Sequence, residues 1–201
     1  MKDIKECAEL YETLLNKDYI FTLEQGIQFK LFFKKSNFHH LLGLSKLTDV
    51  ENLSLNRNTA EDIYKKILKG DITSRMIENS SFYHKIKNRI VNFQNILDLL
   101  NIEKCKIIID FDKSLLDKTN LVNTVYILYR HKNDGYVHLT LGDKGEGIYP
   151  ETFFYENSKR YTSGQTLLDI VDIKILDRRK GKRSSVEVYK DILQNKSFSA
   201  G

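Results

Sequence analysis

The stretch VNTVYILYRHKNDGYVHLTLG, residues 122–142, holds two runs rich in β-branched and aromatic residues on either side of a turn sequence. Asp-Gly tolerates the positive φ angles of a primed turn, so the stretch predicts a β-hairpin. With a two-residue turn, His131 and His138 are expected to lie directly opposite each other. The second half of the chain is therefore expected to form antiparallel strands.

A second hairpin is predicted near the N-terminus, after a helical stripe of apolar residues over 2–16. Apolar side chains alternate with their neighbours over 19–23 and 27–33, on either side of Gln25-Gly26. Several helices are expected to follow, the longest from Ser81 to Leu100. We predict an α+β fold in which helices pack on a central antiparallel sheet, with an N-terminal helix and β-hairpin. One domain is expected over residues 1–196, with a flexible tail over 197–201.

The composition favours an anionic partner. The chain has 201 residues, of which 41% are hydrophobic, and its formal net charge is +5. The hydrophobic content argues against disorder. The positive net charge favours nucleic acid ahead of membrane as a partner. Two cysteines are too few for a disulfide framework or a cysteine zinc site, which indicates a reduced, cytoplasmic setting.

The segment SNFHHLLGLSKL, residues 36–47, places two histidines, a glycine and a lysine among apolar residues. Ser36 is expected to cap a helix whose positive end points at the same region. His39, Gly43 and Lys46 would share one face if the helix continued that far. Histidine transfers protons near neutral pH and lysine binds phosphate, so the segment predicts a metal-independent phosphodiester-cleaving site. The alternative is one solvated histidine, one hydrogen-bonded core histidine and a glycine that permits packing.

Residues 153–165 interleave aromatic side chains with Lys159 and Arg160 and end in hydrogen-bonding residues such as Gln165. Such a segment can stack exposed bases and hold phosphates, as binding of single-stranded RNA requires. Tyr161 could donate a proton or orient a phosphate. The alternative is an ordinary loop whose first aromatic residues belong to the core.

Three further features have a possible functional interpretation and a structural one. Five cations lie within six residues at Arg178, Arg179, Lys180, Lys182 and Arg183, where they would give salt-dependent phosphate affinity or form a solvated loop. The His131 and His138 pair could bind a metal or divide acid and base roles, unless it is surface decoration. Asp110 and Asp112 could bind a cation at a strand end. Elsewhere, no cluster has the ligand spacing of a zinc site.

Two blocks resemble a known family. They are Asp18 to Leu47, and Val137 to Gly142 followed by Tyr149 to Phe154 and Tyr161; the segment Phe82 to Phe93, which contains Arg89, also fits the family pattern. They are similar to a phage-associated nuclease family of the barnase–EndoU–colicin–RelE-like superfamily, found in prophages and mobile elements, and the resemblance covers most of residues 15–175. It implies a small α+β domain with a central antiparallel sheet, and RNA cleavage without a metal or other cofactor.

The resemblance also implies roles for individual residues. The histidine of the family motif Asn-Phe-x-His-Leu-Leu-Gly-Leu falls on His40, whereas helical spacing favours His39. His40 is expected to act as general base or acid, with Tyr161 or a second histidine as its complement. Lys46 and Arg89 are expected to stabilise charge on the phosphate. The residues expected to bind the RNA are Lys159, Arg160, Gln165, Arg178, Arg179, Lys182 and Arg183.

These features predict a metal-independent endoribonuclease, a toxin of prophage or mobile-element origin that cleaves cellular RNA through its 2′-hydroxyl. A host that makes such an enzyme needs protection, so a neutralising antitoxin or immunity protein is an expected partner. The alternative is a non-catalytic RNA-binding or regulatory module with structural histidines. A third option is a metal-dependent enzyme that uses Asp110, Asp112 and the His131 and His138 pair.

Overall fold

The computed structural model describes residues 3–143, 145 and 147–178. The helices are α1 (Ile4–Glu12), α2 (Asn37–Leu42), α3 (Ala60–Lys69), α4 (Ser74–Glu78) and α5 (Lys87–Asn92). The strands are β1 (Lys17–Leu23), β2 (Gln28–Phe32), β3 (Lys106–Ile109), β4 (Thr124–Lys132), β5 (Gly135–Asp143), β6 (Ile148–Glu156), β7 (Leu167–Leu168) and β8 (Ile170–Asp177). Within the described residues, no helix has the length and apolar character needed to cross a membrane.

The eight strands form one mixed sheet in the order β7-β3-β4-β5-β6-β2-β1-β8. Neighbouring strands are antiparallel except β2 and β6, which are parallel and pair at a single position, Leu31 with Ile148. Helices α2 and α5 both pack against β6. The short β2–β6 pairing therefore leaves most of the β6 edge for these two helices.

The predicted fold class is wrong. The sheet is mixed rather than antiparallel, because the N-terminal hairpin β1–β2 joins it through the parallel β2–β6 pair. Among the described residues, more lie in strands than in α-helices, and the helices there are short, with ten residues in the longest, α3. The sequence signals were local to each hairpin, whereas the sheet depends on pairing between distant strands.

The predicted long helix from Ser81 to Leu100 is also wrong. Only Lys87–Asn92 is α-helical, and short 3-10 turns flank it at Tyr83–Lys85, Phe93–Ile96 and Asp98–Leu100. Asparagine side chains compete with the helical backbone pattern in this region. Asn92 Nδ2 donates to Asn88 O at 2.9 Å, and Asn95 Nδ2 donates to Asn92 Oδ1 at 3.3 Å.

Both predicted hairpins are confirmed, but the turn between β4 and β5 lies one residue earlier than expected. Lys132 pairs with Gly135, so the two turn residues are Asn133 and Asp134, and Asn133 takes the positive φ of 53°. His131 therefore lies opposite Tyr136, and His138 lies opposite Tyr129. The predicted pairing of His131 with His138 is wrong.

The sheet has two unequal faces. The first face packs against the helices and forms the main core, with Val137, Leu139 and Phe153 contributed by β5 and β6. The second face, opposite to it, carries a smaller cluster built on Ile108, Ile127 and Tyr129. Since side chains alternate along a strand, Tyr136, His138 and Thr140 of β5 lie on the second face, as do Thr152 and Phe154 of β6.

Candidate active site

The two histidines of α2 have opposite environments. His39 is fully buried, with its Nε2 atom 3.3 Å from the carbonyl oxygen of Leu53, and burial lowers its pKa. His40 is exposed. One buried and one exposed histidine is the distribution that the alternative interpretation of this segment expects. His40 is the member of the pair that a substrate can reach.

Helix α2 is too short for the predicted shared helical face. It ends at Leu42, and Gly43 adopts a left-handed conformation with φ of 70°. Glycine reaches this conformation without the strain that a Cβ would add. His39, Gly43 and Lys46 therefore do not share a helical face. Ser36 makes no side-chain capping bond, and the histidines lie in the last turn of α2, away from its positive end.

Arg89 of α5 lies directly over Gly43. A Cβ added at Gly43 would be 3.3 Å from the Cζ, Nε and Nη1 atoms of Arg89. Nη1 donates to Thr152 Oγ1 at 2.7 Å, to Leu41 O at 3.3 Å and to His40 O at 3.4 Å. The guanidinium is therefore fixed among α2, α5 and β6.

The other guanidinium nitrogens of Arg89, Nε and Nη2, donate to no residue within the described part of the chain. Burial lowers the pKa of Arg89, but arginine stays charged in proteins. A charged, fixed guanidinium with uncommitted donors matches the fork geometry of a phosphate group. Arg89 can thus bind an anion without moving.

Lys46 and Lys85 add positive charge beside Arg89. Lost hydration and the charges of Arg89 and Lys85 lower the pKa of Lys46. Lys46 follows α2 in a 3-10 turn, Leu44–Lys46, and its side chain is exposed. The structure therefore brings together Lys46 and Arg89, the two cations that the sequence assigned to phosphate stabilisation.

His40 shares a surface pocket of about 330 Å³ with Glu151, an acid that the sequence analysis did not single out. The pocket is also lined by Ser36, Asn37, Tyr149 and Pro150. The half-buried Glu151 accepts a hydrogen bond from Thr124 Oγ1 at 2.5 Å on its Oε2 atom. This pocket contains two side chains able to exchange protons, one basic and one acidic.

A β-bulge places Glu151 in this pocket. Thr140 pairs with Thr152 and Leu141 pairs with Pro150, so Glu151 is an extra residue in β6. Bulges re-aim side chains and are common near functional sites. The only sequence signal for Glu151 is its position within the Tyr149 to Phe154 block of the family resemblance.

Tyr161 lies on the same sheet face as the residue that anchors Arg89. Its ring is 4.9 Å from that of Phe154 and 5.7 Å from that of His138. Phe154 and Thr152 are two residues apart on β6, about 7 Å along the strand. Tyr161 and Thr152, the residue that accepts a hydrogen bond from Arg89, therefore lie on the same face of the sheet.

Several side chains predicted to bind RNA have partners within the protein. Gln165 is buried and exchanges two hydrogen bonds of 2.9 Å with the backbone of Asp112. Arg160 donates to the backbone oxygen of Lys118. Arg178 donates its Nε to Asp18 Oδ1 at 2.6 Å. Lys159 is exposed. Arg179, Lys182 and Arg183 lie outside the described residues, as does the predicted tail over 197–201.

The residues of the metal-dependent alternative, Asp110, Asp112, His131 and His138, do not form a cluster of metal ligands in the part of the chain that the structure describes. No three His, Cys, Asp or Glu side chains there lie close enough together to hold a metal ion. Asp112 Oδ1 instead accepts hydrogen bonds from the Ser114 backbone and hydroxyl, at 2.8 and 2.6 Å. Asp112 therefore caps a short 3-10 turn.

His138 is buried in an aromatic cluster on the second face. Its ring stacks on Phe154 at 4.7 Å, with Tyr129 on the neighbouring strand. Neither ring nitrogen makes a hydrogen bond of normal geometry among the described residues, and the nearby Tyr136 backbone only partly offsets the effect of burial. Burial lowers the pKa of His138 from 6.5 to about 3. His138 is thus held neutral in the folded protein.

This burial predicts a specific loss of stability in acid. The unfolded chain binds a proton at His138 more tightly than the folded protein does, so stability is complete above pH 6.5 and declines towards pH 3. The free energy of unfolding should fall in this window, by at most about 1.4 kcal/mol per pH unit from His138. His39 contributes in the same direction.

The variant His138→Phe should be more stable than wild type at pH 7, by about 1–2 kcal/mol, because it removes two buried polar atoms without hydrogen bonds. Its unfolding free energy should also depend less on pH between 6.5 and 3. Urea unfolding of both proteins across this range measures the two effects. An unchanged pH dependence in the variant would show that His138 does not cause the acid sensitivity.

Comparison with known proteins identifies one related family. The family model described as phage-Barnase-EndoU-ColicinE5/D-RelE like nuclease4 matches residues 3–175. No curated protein and no solved structure gives a significant match to the chain.

Proposed function

Because the chain belongs to the phage-Barnase-EndoU-ColicinE5/D-RelE like nuclease4 family, we propose that it is a metal-independent endoribonuclease. The family match supports nuclease activity in general. The choice of RNA, the absence of a metal requirement and a role as a toxin of prophage or mobile-element origin are parts of the proposal. Cellular RNA as the substrate implies action in the cytoplasm.

The observation that carries the proposal is the position of Arg89. Its guanidinium is anchored to the carbonyl oxygen of His40 and to the hydroxyl of Thr152, the residue after Glu151. Its Nε and Nη2 atoms have no acceptor among the described residues. Arg89 thus bonds the two segments that carry a histidine and a carboxylate, and a cation, a histidine and a carboxylate are the three kinds of group that phosphodiester cleavage can use without a metal.

In the proposed reaction, the 2′-hydroxyl of the RNA attacks the adjacent phosphorus while the bond from phosphorus to the 5′-oxygen breaks. The Glu151 carboxylate takes the proton of the 2′-hydroxyl, and the His40 imidazolium gives a proton to the leaving 5′-oxygen. Arg89 and Lys46 stabilise the charge that develops on the phosphoryl oxygens. The products are a 2′,3′-cyclic phosphate and a free 5′-hydroxyl.

Glu151 takes the complementary role that the sequence analysis gave to Tyr161 or a second histidine. Glu151 lines the same pocket as His40, whereas Tyr161 packs on Phe154, farther along the second face. His39 is buried against Leu53, and His138 is enclosed by aromatic rings. A toxin with this activity requires a neutralising antitoxin or immunity protein in its host.

The decisive test is cleavage of RNA by the purified protein in excess EDTA. We expect cutting that leaves 2′,3′-cyclic ends, and no cutting where a single 2′-deoxyribonucleotide replaces the nucleotide before the cleaved bond. Cleavage of that deoxy substrate at the same bond would rule out attack by the 2′-hydroxyl. Cutting only after addition of a divalent cation would support a metal-dependent enzyme. Intact RNA under both conditions would support a non-catalytic RNA-binding module.

A further inference from the structure

A cleft of about 560 Å³ lies at the end of the second face that holds the β4–β5 turn. Its walls include the aromatic residues Tyr129 and Tyr136, together with His131, Lys106 and Lys159. The proposed catalytic groups lie at the Thr152 end of β6, so none of them lines this cleft. The residues of this cleft are therefore available for a separate binding role.

The cations of the cleft differ in whether they already have an acidic partner. Arg130 and Lys104 both form ion pairs with Asp98. Lys106 and Lys159 are exposed, and their side chains make no ion pair or hydrogen bond with any residue that the structure describes. The cleft thus presents two ammonium groups that can bind an anion without breaking an existing contact.

The aromatic wall of the cleft consists of neighbouring rings from β4 and β5. The Tyr136 ring lies 6.3 Å from that of Tyr129 and 5.1 Å from that of His131. Tyr136 is half-buried and His131 is exposed, so part of this wall faces solvent. Exposed aromatic rings beside lysines are the combination that binds single-stranded nucleic acid, through base stacking and phosphate contacts.

The cleft and the proposed catalytic residues lie towards opposite ends of the second face, with the buried cluster of that face between them. Lys106 pairs with Tyr129 across β3 and β4, so both side chains are on the second face. Tyr136 and Thr140 lie on this face of β5, about 13 Å apart along the strand. Thr140 pairs with Thr152, which holds Arg89. An RNA strand that reaches both Arg89 and the cleft would pass over the residues that cover this cluster, so it must be longer than a dinucleoside.

We propose that this cleft is a binding subsite for an unpaired RNA strand, and this proposal rests on the proposed endoribonuclease function. A base stacks on the aromatic wall at Tyr136, and phosphates bind Lys106 and Lys159. A base held in a duplex cannot stack on a side chain, so the subsite selects single-stranded over double-stranded RNA. The face thus determines which part of an RNA reaches the reacting groups.

The first test is equilibrium binding of a fluorescent single-stranded oligoribonucleotide and its duplex, in EDTA. Tyr136→Leu removes the ring on which one base stacks, and it should weaken single-strand binding about 5- to 150-fold, whereas Tyr136→Phe keeps the ring and should bind like wild type. The double variant Lys106→Gln/Lys159→Gln should reduce the slope of log affinity against log salt by about 1.4. Lys69→Gln, an exposed lysine of α3, is the control and should change neither quantity.

The second test is the dependence of cleavage on substrate length. A dinucleoside monophosphate is too short to span both ends of the face, so Tyr136→Leu should raise the KM of a longer oligonucleotide more than that of the dinucleoside. Equal effects on both substrates would overturn the subsite while leaving the endoribonuclease function intact. If wild-type protein cleaves no RNA, the proposed function fails, and the binding test still decides the subsite. Equal affinity of wild-type protein for single strand and duplex, or wild-type binding by Tyr136→Leu, would overturn it.

Discussion

Replacement of His40 by alanine should lower the rate of RNA cleavage about 10²- to 10⁴-fold, the range that a positioned general acid contributes. His40 is exposed in its pocket with Glu151, and no other histidine lines that pocket. RNA affinity should change little, because Arg89 and Lys46 supply the charge that binds phosphate. Single-turnover cleavage and equilibrium binding of one oligoribonucleotide, both in EDTA, measure the two effects separately.

A matched control is available in His84, an exposed histidine whose Nδ1 atom lies 3.1 Å from Ser81 O. His84→Ala should cleave at the wild-type rate. Both variants should unfold within about 0.5 kcal/mol of wild type, because surface substitutions rarely exceed that value. Wild-type cleavage by His40→Ala would remove His40 from the mechanism. Equal losses of affinity and cleavage would instead assign His40 to binding.

The pattern of residue types located four of the eight described strands but did not predict how the sheet is assembled. Alternation along the chain is a local signal, and it placed β1, β2, β4 and β5 correctly. The parallel pair of β2 with β6 joins Leu31 to Ile148, residues far apart in the sequence, and no local pattern encodes that contact. The fold class was therefore wrong although many of its strands were right.

The apolar stripe over residues 81–100 shows a related limit. Ile86, Ile90 and Phe93 are buried, as the stripe predicts. Spacings of three and four residues also fit successive short α and 3-10 turns, so the stripe identifies the buried side chains without establishing a continuous helix. The asparagines at 88, 92 and 95 bond to one another locally, which favours the interrupted form.

The candidate site was predictable only in part. The family resemblance favoured His40 and named Arg89 and Lys46, whereas helical spacing favoured His39, which the structure buries. Glu151 was missed because its position in the pocket depends on a bulge between β5 and β6, which only the strand pairing reveals. The anchoring of Arg89 by Thr152 is likewise a contact between distant segments. Residue type and spacing suggested the chemistry, and tertiary packing assembled the groups.

Replacement of Arg89 by lysine should lower the cleavage rate about 10²- to 10³-fold, a loss typical of removing one electrostatic stabiliser of the transition state. Lysine keeps the charge but cannot bond Thr152 and the α2 carbonyl groups while also offering a planar fork to a phosphate. The fall in kcat should exceed the rise in KM. Arg75→Lys, at an exposed arginine of α4, is the matched control and should leave both constants unchanged.

Arg89 also links α2, α5 and β6, so its replacement can lower stability as well as activity. Chemical rescue separates the two effects. In Arg89→Ala, added guanidinium at concentrations far below those that denature should restore part of the cleavage rate, since the small cation can occupy the space over Gly43. Methylammonium, a point charge without the fork, should restore less. If urea unfolding shows the variant folded and neither cation restores any activity, Arg89 does not contact the phosphate and acts only by holding α2 against β6.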